Sequence, residues 1–424
     1  MIDQLPAEII HQILSHLSAR DLARVSRTCR TFAEHASNDR LWASLINSHL
    51  PFPIHDPGPF ESFHRLYLAH LPYWFIPQNK IWFADTEAHG CLILARYDNR
   101  RGVIEAYRVI ADRRTPKFHI WEANPDVMIQ TFDPKISLWL DDPVLLLKDQ
   151  EPSNPIADCQ TWNPDRRMPM AAESQHVFSS LVLCPRELPD NEVITDARLW
   201  PPQIIPSTNR IFRNTSSKNM LLPKCASDAS SSGFRIKRWA NFRLRMTPTD
   251  NEAMSNYTTI DPEWYIPTKE KPYQGIWVGD YSAHGCEFLL IYQVDLDSEA
   301  GSATATPASA DNEDIDGNRE ETTQKGSLRA VKLTGDPNVP RGEITFIAED
   351  IGPKGLVRVA DEEPFEGARI VQCMGHVAGL GFRDDTYIAS QLILVSTDYI
   401  AHYWEEMGHI SYFRRVNIDE LLQT

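Results

Sequence analysis

A ten-residue pattern occurs twice in this chain with the same spacing. Trp82-x-x-Asp85-x-x-Ala88-His89-Gly90-Cys91 returns as Trp277-x-x-Asp280-x-x-Ala283-His284-Gly285-Cys286, and an apolar run follows each copy. A glycine at this place permits the positive φ of a tight turn, so both copies read as strand, turn, strand. Each is expected to open one half of a pseudo-symmetric β-barrel. Asp and His in such turns commonly bond neighbouring backbone. The alternative is that Tyr281 and His284 line the mouth of a pocket.

Short β-branched and aromatic runs support a sheet around both copies. Segments 92–97 and 103–110 flank Asp98-Asn99-Arg100-Arg101-Gly102, which reads as a hairpin loop. Further strands are expected at 127–132, 288–294, 328–333, 343–347, 369–373, 391–396, 399–404 and 411–416. Segments 234–245 and 417–422 read as helical. Many short strands with long interruptions point to a mostly antiparallel barrel or sandwich. Two interruptions read as disordered. Segment 298–326 consists of small, polar and acidic residues, too few of them apolar to offset the entropy of ordering. Segment 225–233 is shorter and Ser-rich.

The first fifty residues have another texture. Asp3 can cap a first turn, and Ile9, Ile10, Ile13, Leu14 and Leu17 recur at helical steps, predicting a helix over 6–16. Ser18 caps a second, with Leu22, Val25, Cys29 and Phe32 on one side and Arg20, Arg24, Arg27 and Arg30 on the other. A third spans 38–50 with Leu41, Trp42, Leu45 and Ile46. So short a chain encloses little core, so part of this apolar surface must meet another surface. Prolines 51, 53, 57 and 59 then break the pattern, Phe63, Leu66, Tyr67 and Leu71 suggest one short helix, and segment 51–75 reads as a hinge.

The order Leu5-Pro6-x-Glu8-Ile9, Ile13-Leu14-x-x-Leu17, Asp21-Leu22, Val25-Ser26, Cys29, Phe32 and Leu41-Trp42 resembles the F-box. The F-box ties a substrate-binding domain to the Skp adaptor of a cullin-type ubiquitin ligase. The resemblance implies an adaptor contact through Leu5, Pro6, Ile9, Ile13, Leu14, Leu17, Leu22, Val25, Leu41 and Trp42, the apolar positions left over once three helices have packed. It implies cullin as a partner through the adaptor.

Composition narrows the alternatives. A formal charge of −16 argues against a general binder of nucleic acid or anionic membrane, since both need concentrated positive charge. The chain is 42% hydrophobic with 11 Trp and can bury a large core. Seven cysteines at 29, 91, 159, 184, 225, 286 and 373 form no Cys-x-x-Cys pair and read as reduced and intracellular. With no apolar stretch near the ~20 residues that span a bilayer, the cytosol or nucleus is the expected location. No nucleophile elbow, P-loop or His-Glu-x-x-His motif is present, so no catalysis is expected.

A second resemblance lies in the C-terminal half. Gly275-Ile276-Trp277-Val278-Gly279-Asp280-Tyr281-Ser282-Ala283-His284-Gly285, Lys332-Leu333-Thr334-Gly335-Asp336-Pro337-Asn338-Val339-Pro340-Arg341-Gly342 and Gly379-Leu380-Gly381-Phe382 are similar to the substrate domain of the F-box-only protein thirty-one family. Its members are substrate receptors of SCF-type ligases that recognise short C-terminal peptide segments, including that of a D-type cyclin. The His- and Cys-rich stretch of the animal relatives has no counterpart in 121–162, so neither zinc nor another cofactor is expected.

The fold expected is therefore α+β: a three-helix F-box at 1–50, a linker with a short helix at 51–75, and a barrel-like, mostly antiparallel substrate domain at 76–424 with a disordered acidic insertion. Substrate contacts are expected at Tyr281, His284, Thr334, Asp336, Asn338 and Arg383. Thr334, Arg341 and Arg383 are the groups suited to a peptide carboxyl end. Two other readings stay open: an F-box adaptor working outside the ligase, and a barrel that binds a small apolar ligand.

Overall fold

The computed structural model describes residues 5–148, 162–168, 177–187, 195–213, 220–240, 254–295 and 325–423. Four short helices come first: α1 (Ala7–Leu14), α2 (Ala19–Val25), α3 (Arg30–Ala36) and α4 (Asp39–Asn47). Ser18 Oγ accepts the Asp21 amide and Asn38 Oδ1 that of Arg40, capping α2 and α4 as their sequences require. The stretch expected as one helix from Ser18 to Phe32 is instead two. Ser26 and Thr28 turn their hydroxyls back onto the carbonyls of Ala23 and Val25, and Cys29 is extended, which ends α2 and starts α3. The Asp3 cap lies outside the described residues.

Residues 51–75, expected as a hinge, form a packed layer. Asn47 bonds the backbone of Ile54 in both directions, and Ser62 caps α5 (Phe63–His70), which ends before Pro72. The rings of Trp42 and Tyr67 lie 5.3 Å apart, and those of Tyr67 and Trp74 6.2 Å apart. Trp74, Phe75 and Ile76, around α6 (Phe75–Asn79), share one core with helices α1 to α5 and the first sheet. Aromatic area that the short helices cannot bury alone is buried here.

The first group of strands comprises β1 (Ile81–Ala84), β2 (Cys91–Asp98), β3 (Val103–Asp112), β4 (Phe118–Trp121), β5 (Asn124–Gln130), β6 (Lys135–Leu138), β7 (Leu145–Leu147), β8 (Asp165–Met168), β9 (Val177–Pro185), β10 (Leu199–Trp200), β11 (Ile211–Phe212), β12 (Ala229–Ala240) and β13 (Met254–Thr258). The second comprises β14 (Gly275–Asp280), β15 (Cys286–Val294), β16 (Ser327–Lys332), β17 (Ile344–Ala348), β18 (Leu356–Val359), β19 (Arg369–Gly379), β20 (Arg383–Ser396), β21 (Tyr399–Trp404) and β22 (His409–Arg415), followed by α7 (Ile418–Gln423).

Two nine-stranded antiparallel sheets result, beside the two-stranded pairs β4-β5 and β10-β11, and they share an eight-strand order. In the first it runs β7-β3-β2-β1-β13-β12-β9-β8, with β6 as a further strand on β3, and in the second β17-β16-β15-β14-β22-β21-β20-β19, with β18 as a further strand on β19. Taken in chain order, each of these eight strands in one sheet has its counterpart in the other. Pairing of β17 with β19 closes the second into an eight-stranded barrel. In the first, no ladder joins β7 to β8 among the described residues; Arg166 of β8 donates to the carbonyl of Lys148, just past β7. The repeated decapeptide accordingly opens two sheets rather than two halves of one barrel: β1-turn-β2 and β14-turn-β15. Trp82 and Trp277 are both fully buried, and each indole donates to a backbone carbonyl upstream, of Ile76 and Tyr273.

Alternation assigns the faces. Ile81, Phe83, Leu92 and Leu94 point towards Ile276, Val278, Phe288 and Leu290 in a core between the sheets. Trp82, Ala84, Ile93 and Ala95 point to the helices. Trp277, Leu289, Ile291, Phe346 and Phe413 fill the closed barrel. Segment 234–245 is not helical where described: it continues β12, whose backbone is taken up by β9 and β13 on either side. The Ser-rich segment 225–233 is also ordered, as a short 3-10 turn leading into β12, with Ser230 buried. Most of the acidic stretch 298–326 lies outside the described residues; it connects β15 and β16, which pair directly from Val294 with Ser327. The helix expected at 417–422 is α7.

Candidate functional site

The register brings four connections to one end of the closed barrel: 281–285, 333–343, 380–382 and 405–408. The loop 333–343 is pinned from within. Asp336 Oδ1 accepts the amides of Asn338 (2.6 Å) and Val339 (3.0 Å), the Asx-type bonding that Asp-Pro-Asn favours. Its Oδ2 lies 2.8 Å from Lys332 Nζ, which is also 2.8 Å from Glu287 Oε2. The carbonyl of Pro337 accepts the amides of Gly381 and Phe382, and Asn338 Nδ2 donates to the carbonyl of Ala378, tying the loop to the neighbouring hairpin.

The charges under this rim are out of water. Lys332 is 1% exposed. Burial pushes the Glu287 carboxyl up to about 8, so at neutral pH it is largely protonated. Burial works against the Asp336 carboxylate too, but bonds from Glu287 and Lys332 outweigh it and hold Asp336 down to about 2. One carboxylate and one ammonium thus share the buried space with a protonated acid. That arrangement avoids an uncompensated buried charge. Beside them His376 places Nδ1 2.7 Å from the Ile344 carbonyl and Nε2 3.1 Å from Asp385, stacked on Tyr387.

All six residues expected at a substrate site fall on this end of the barrel, but their side chains are not equally free. Thr334 Oγ1 accepts the Phe288 amide (2.8 Å), Asp336 faces Lys332, Asn338 is bound to Ala378, and the Tyr281 hydroxyl lies 2.9 Å from Thr345 Oγ1. Only His284 and Arg383 of the six are exposed. Sequence reading missed Glu287 and Lys332. The signal was a charged residue beside an apolar run in each of two expected strands, Glu287 directly before 288–292 and Lys332 directly before Leu333.

The helical end presents a second surface. Leu5, Ile9 and Ile13 are 39%, 43% and 48% exposed, and Pro6 is exposed beside them. Leu17 and Val25 are partly buried against the helical core. Leu14, Leu22, Leu41 and Trp42, expected in the same contact face, are buried among the helices, so they are not left over after packing. Trp42 is held there by its indole, which donates to the Ala36 carbonyl at 2.9 Å. A helical stripe identifies apolar positions, and α5 supplied a partner for Trp42 that the first fifty residues do not show.

At the opposite end of the barrel a cleft of about 850 Å³ opens between Tyr265, Gly275, Asp398 and α7. Its cations are each held by a carboxylate: Lys80 by Asp419, Arg414 by Asp133 and Arg415 by Asp398.

Comparison with known families matches two separate parts of the chain. Residues 257–420, which hold the closed barrel, match the model described as the Cyclin D1 binding domain, and residues 2–48 match the F-box-like model. No curated protein matches the chain. The chain carries an F-box-like domain at its N-terminus, and the barrel that follows is similar to a cyclin D1 binding domain.

Proposed function

We propose that the protein is a substrate-recognition subunit of an SCF-type ubiquitin ligase, a member of the F-box-only protein thirty-one group that performs no chemistry itself. In this reading the exposed α1 face, with Leu5, Pro6, Ile9 and Ile13, binds the Skp adaptor and through it cullin. The barrel rim binds a protein target, with a D-type cyclin or its C-terminal segment as the first candidate. The observation that carries the proposal is an F-box-like helical unit and a cyclin-D1-binding-like barrel packed on opposite faces of the first sheet, each through its own buried core. Arg383 and His284, two of the exposed polar side chains at the rim, suit a carboxyl terminus, and a charge-assisted bond of this kind contributes roughly 1.5–3 kcal/mol.

A small apolar ligand in the barrel is the weaker reading. The lumen is occupied by Trp277, Phe346, Phe413, His402 and Trp404, with the last two rings 4.2 Å apart.

Copurification of the chain with Skp adaptor and cullin, followed by reconstituted ubiquitylation of cyclin D1, tests the proposal. The expected result is transfer to cyclin D1 that is lost in Arg383→Ala with adaptor binding retained. Adaptor recovered without cullin would instead support an adaptor working outside the ligase. Intact transfer by Arg383→Ala would remove the rim from the account.

A further inference from the structure

The loop 333–342 is held from two directions. One is the barrel's own hairpin, and the other is the first copy of the repeated turn, 85–90, which belongs to the other sheet. Gly90 forms a β-bridge with Thr334. The Gly335 amide donates to the His89 carbonyl at 3.0 Å, and His89 Nδ1 lies 3.2 Å from the Gly335 carbonyl. The Arg341 amide donates to the Ala88 carbonyl at 2.9 Å, while its side chain donates through Nε to Thr86 and through Nη2 to Asp85, both on backbone carbonyls. The same guanidinium lies 4.5 Å from the centre of the Trp200 ring, and Trp200 is fully buried. A Cβ on Gly90 would meet the Leu333 carbonyl oxygen at 2.6 Å, so glycine is needed for the close approach as well as for its φ of +67°.

We propose that turn 85–90 is a positioning element for the substrate loop, with Arg341 as the residue that locks the two together. The proposal rests on the rim being the substrate site. Its physical content is that the barrel alone does not define the loop. Arg341 spans two carbonyls with one planar fork and stacks on an aromatic face, which a lysine cannot reproduce. Without that clamp, Pro337, Asn338 and Arg341 would sample other arrangements, and a bound peptide would have to order them at its own cost. Residues 85–90 and Trp200 lie outside the region that resembles the Cyclin D1 binding domain, 257–420. The functional recognition unit is therefore larger than the matched region.

The test uses the full chain and the variants Arg341→Ala, Arg341→Lys and Gly90→Ala, with cyclin D1 as the probe. Two quantities are read: amide hydrogen exchange at Gly335, Asp336 and Arg341 against Ile291 in β15, and affinity for cyclin D1 beside affinity for the Skp adaptor. Arg341→Ala should speed exchange of the three loop amides and weaken cyclin D1 binding by about tenfold or more, leaving Ile291 and adaptor binding unchanged; Arg341→Lys should fall between. Unchanged loop exchange overturns the proposal, and so does faster exchange with cyclin D1 binding intact. If the wild-type chain fails to bind cyclin D1, the substrate reading fails by itself, and the exchange data alone decide whether the turn positions the loop. Should Arg341→Ala not fold, Gly90→Ala disturbs the same contact from the other side and is judged by the same two readouts.

Discussion

The ammonium of Lys332 sits 4.2 Å from the centre of the Tyr281 ring, facing a residue of the repeated turn from the strand next door. That contact completes a buried set whose other members are Glu287 and Asp336, and it makes the rim sensitive to protons. Between about pH 5 and 8 the folded chain keeps a proton on Glu287 that an unfolded carboxyl, with an ordinary value of 4.5, has released. The folded state binds more protons in that window, so this group's contribution to stability falls as pH rises through it. Asp336 acts at the acid end with the opposite sign. Its contribution is complete above 3.8 and is lost as pH falls towards 2.

Glu287→Gln is expected to flatten the decline of stability between pH 5 and 8 relative to wild type, by about 1 kcal/mol or more across the window. Urea unfolding at several pH values reads it directly. Superimposable pH profiles for variant and wild type would show that Glu287 is not the titrating group. Lys332→Met should be more severe, on the order of 3–5 kcal/mol, because it leaves buried acid without its counter-charge.

The helical end should separate binding from folding. Leu5→Ala combined with Ile9→Ala is expected to weaken Skp adaptor binding by at least about tenfold while the melting temperature barely moves, since both side chains are exposed. Trp42→Ala should do the reverse in origin, losing about 3–5 kcal/mol of helical stability and adaptor binding only as a result. Isothermal titration alongside thermal melts distinguishes the two. Adaptor affinity unchanged in the double variant would dismiss the α1 face.

The two repeated tryptophans should respond alike. Trp82→Phe and Trp277→Phe each remove a buried indole N–H and leave a carbonyl, of Ile76 or Tyr273, without its donor. Each should cost about 1–3 kcal/mol in denaturant unfolding. A large cost at one site with none at the other would mean that the matching geometry hides unequal roles.

What could be read from sequence follows from where the determining contacts lie. Ser18 and Asn38 cap neighbouring residues, and β15 is apolar over five successive positions, 288–292, so local chemistry announced them. β12 was misread because its serines, arginines and Trp239 do not alternate cleanly in the sequence; β9 and β13 decide its state. The repeat was visible as a turn motif, but whether it marked halves of a ring or two sheets depends on pairings such as β17 with β19. At the candidate rim three of the four connections, 281–285, 333–343 and 380–382, carry motifs that the sequence singles out, and 405–408 carries none. The clamp could not be read there, because Arg341 reaches carbonyls some 250 residues earlier in the chain.

The packed layer from Trp42 through Tyr67 to Trp74 also sets a mechanical condition. Because the segment once expected to swing is instead a row of touching rings on the same core as the first sheet, a ligase docked on α1 would have no slack in its arm. On the proposed reading, a target gripped at the rim would be held at a fixed reach, and the target's own loose segments would have to carry a lysine to the site of transfer.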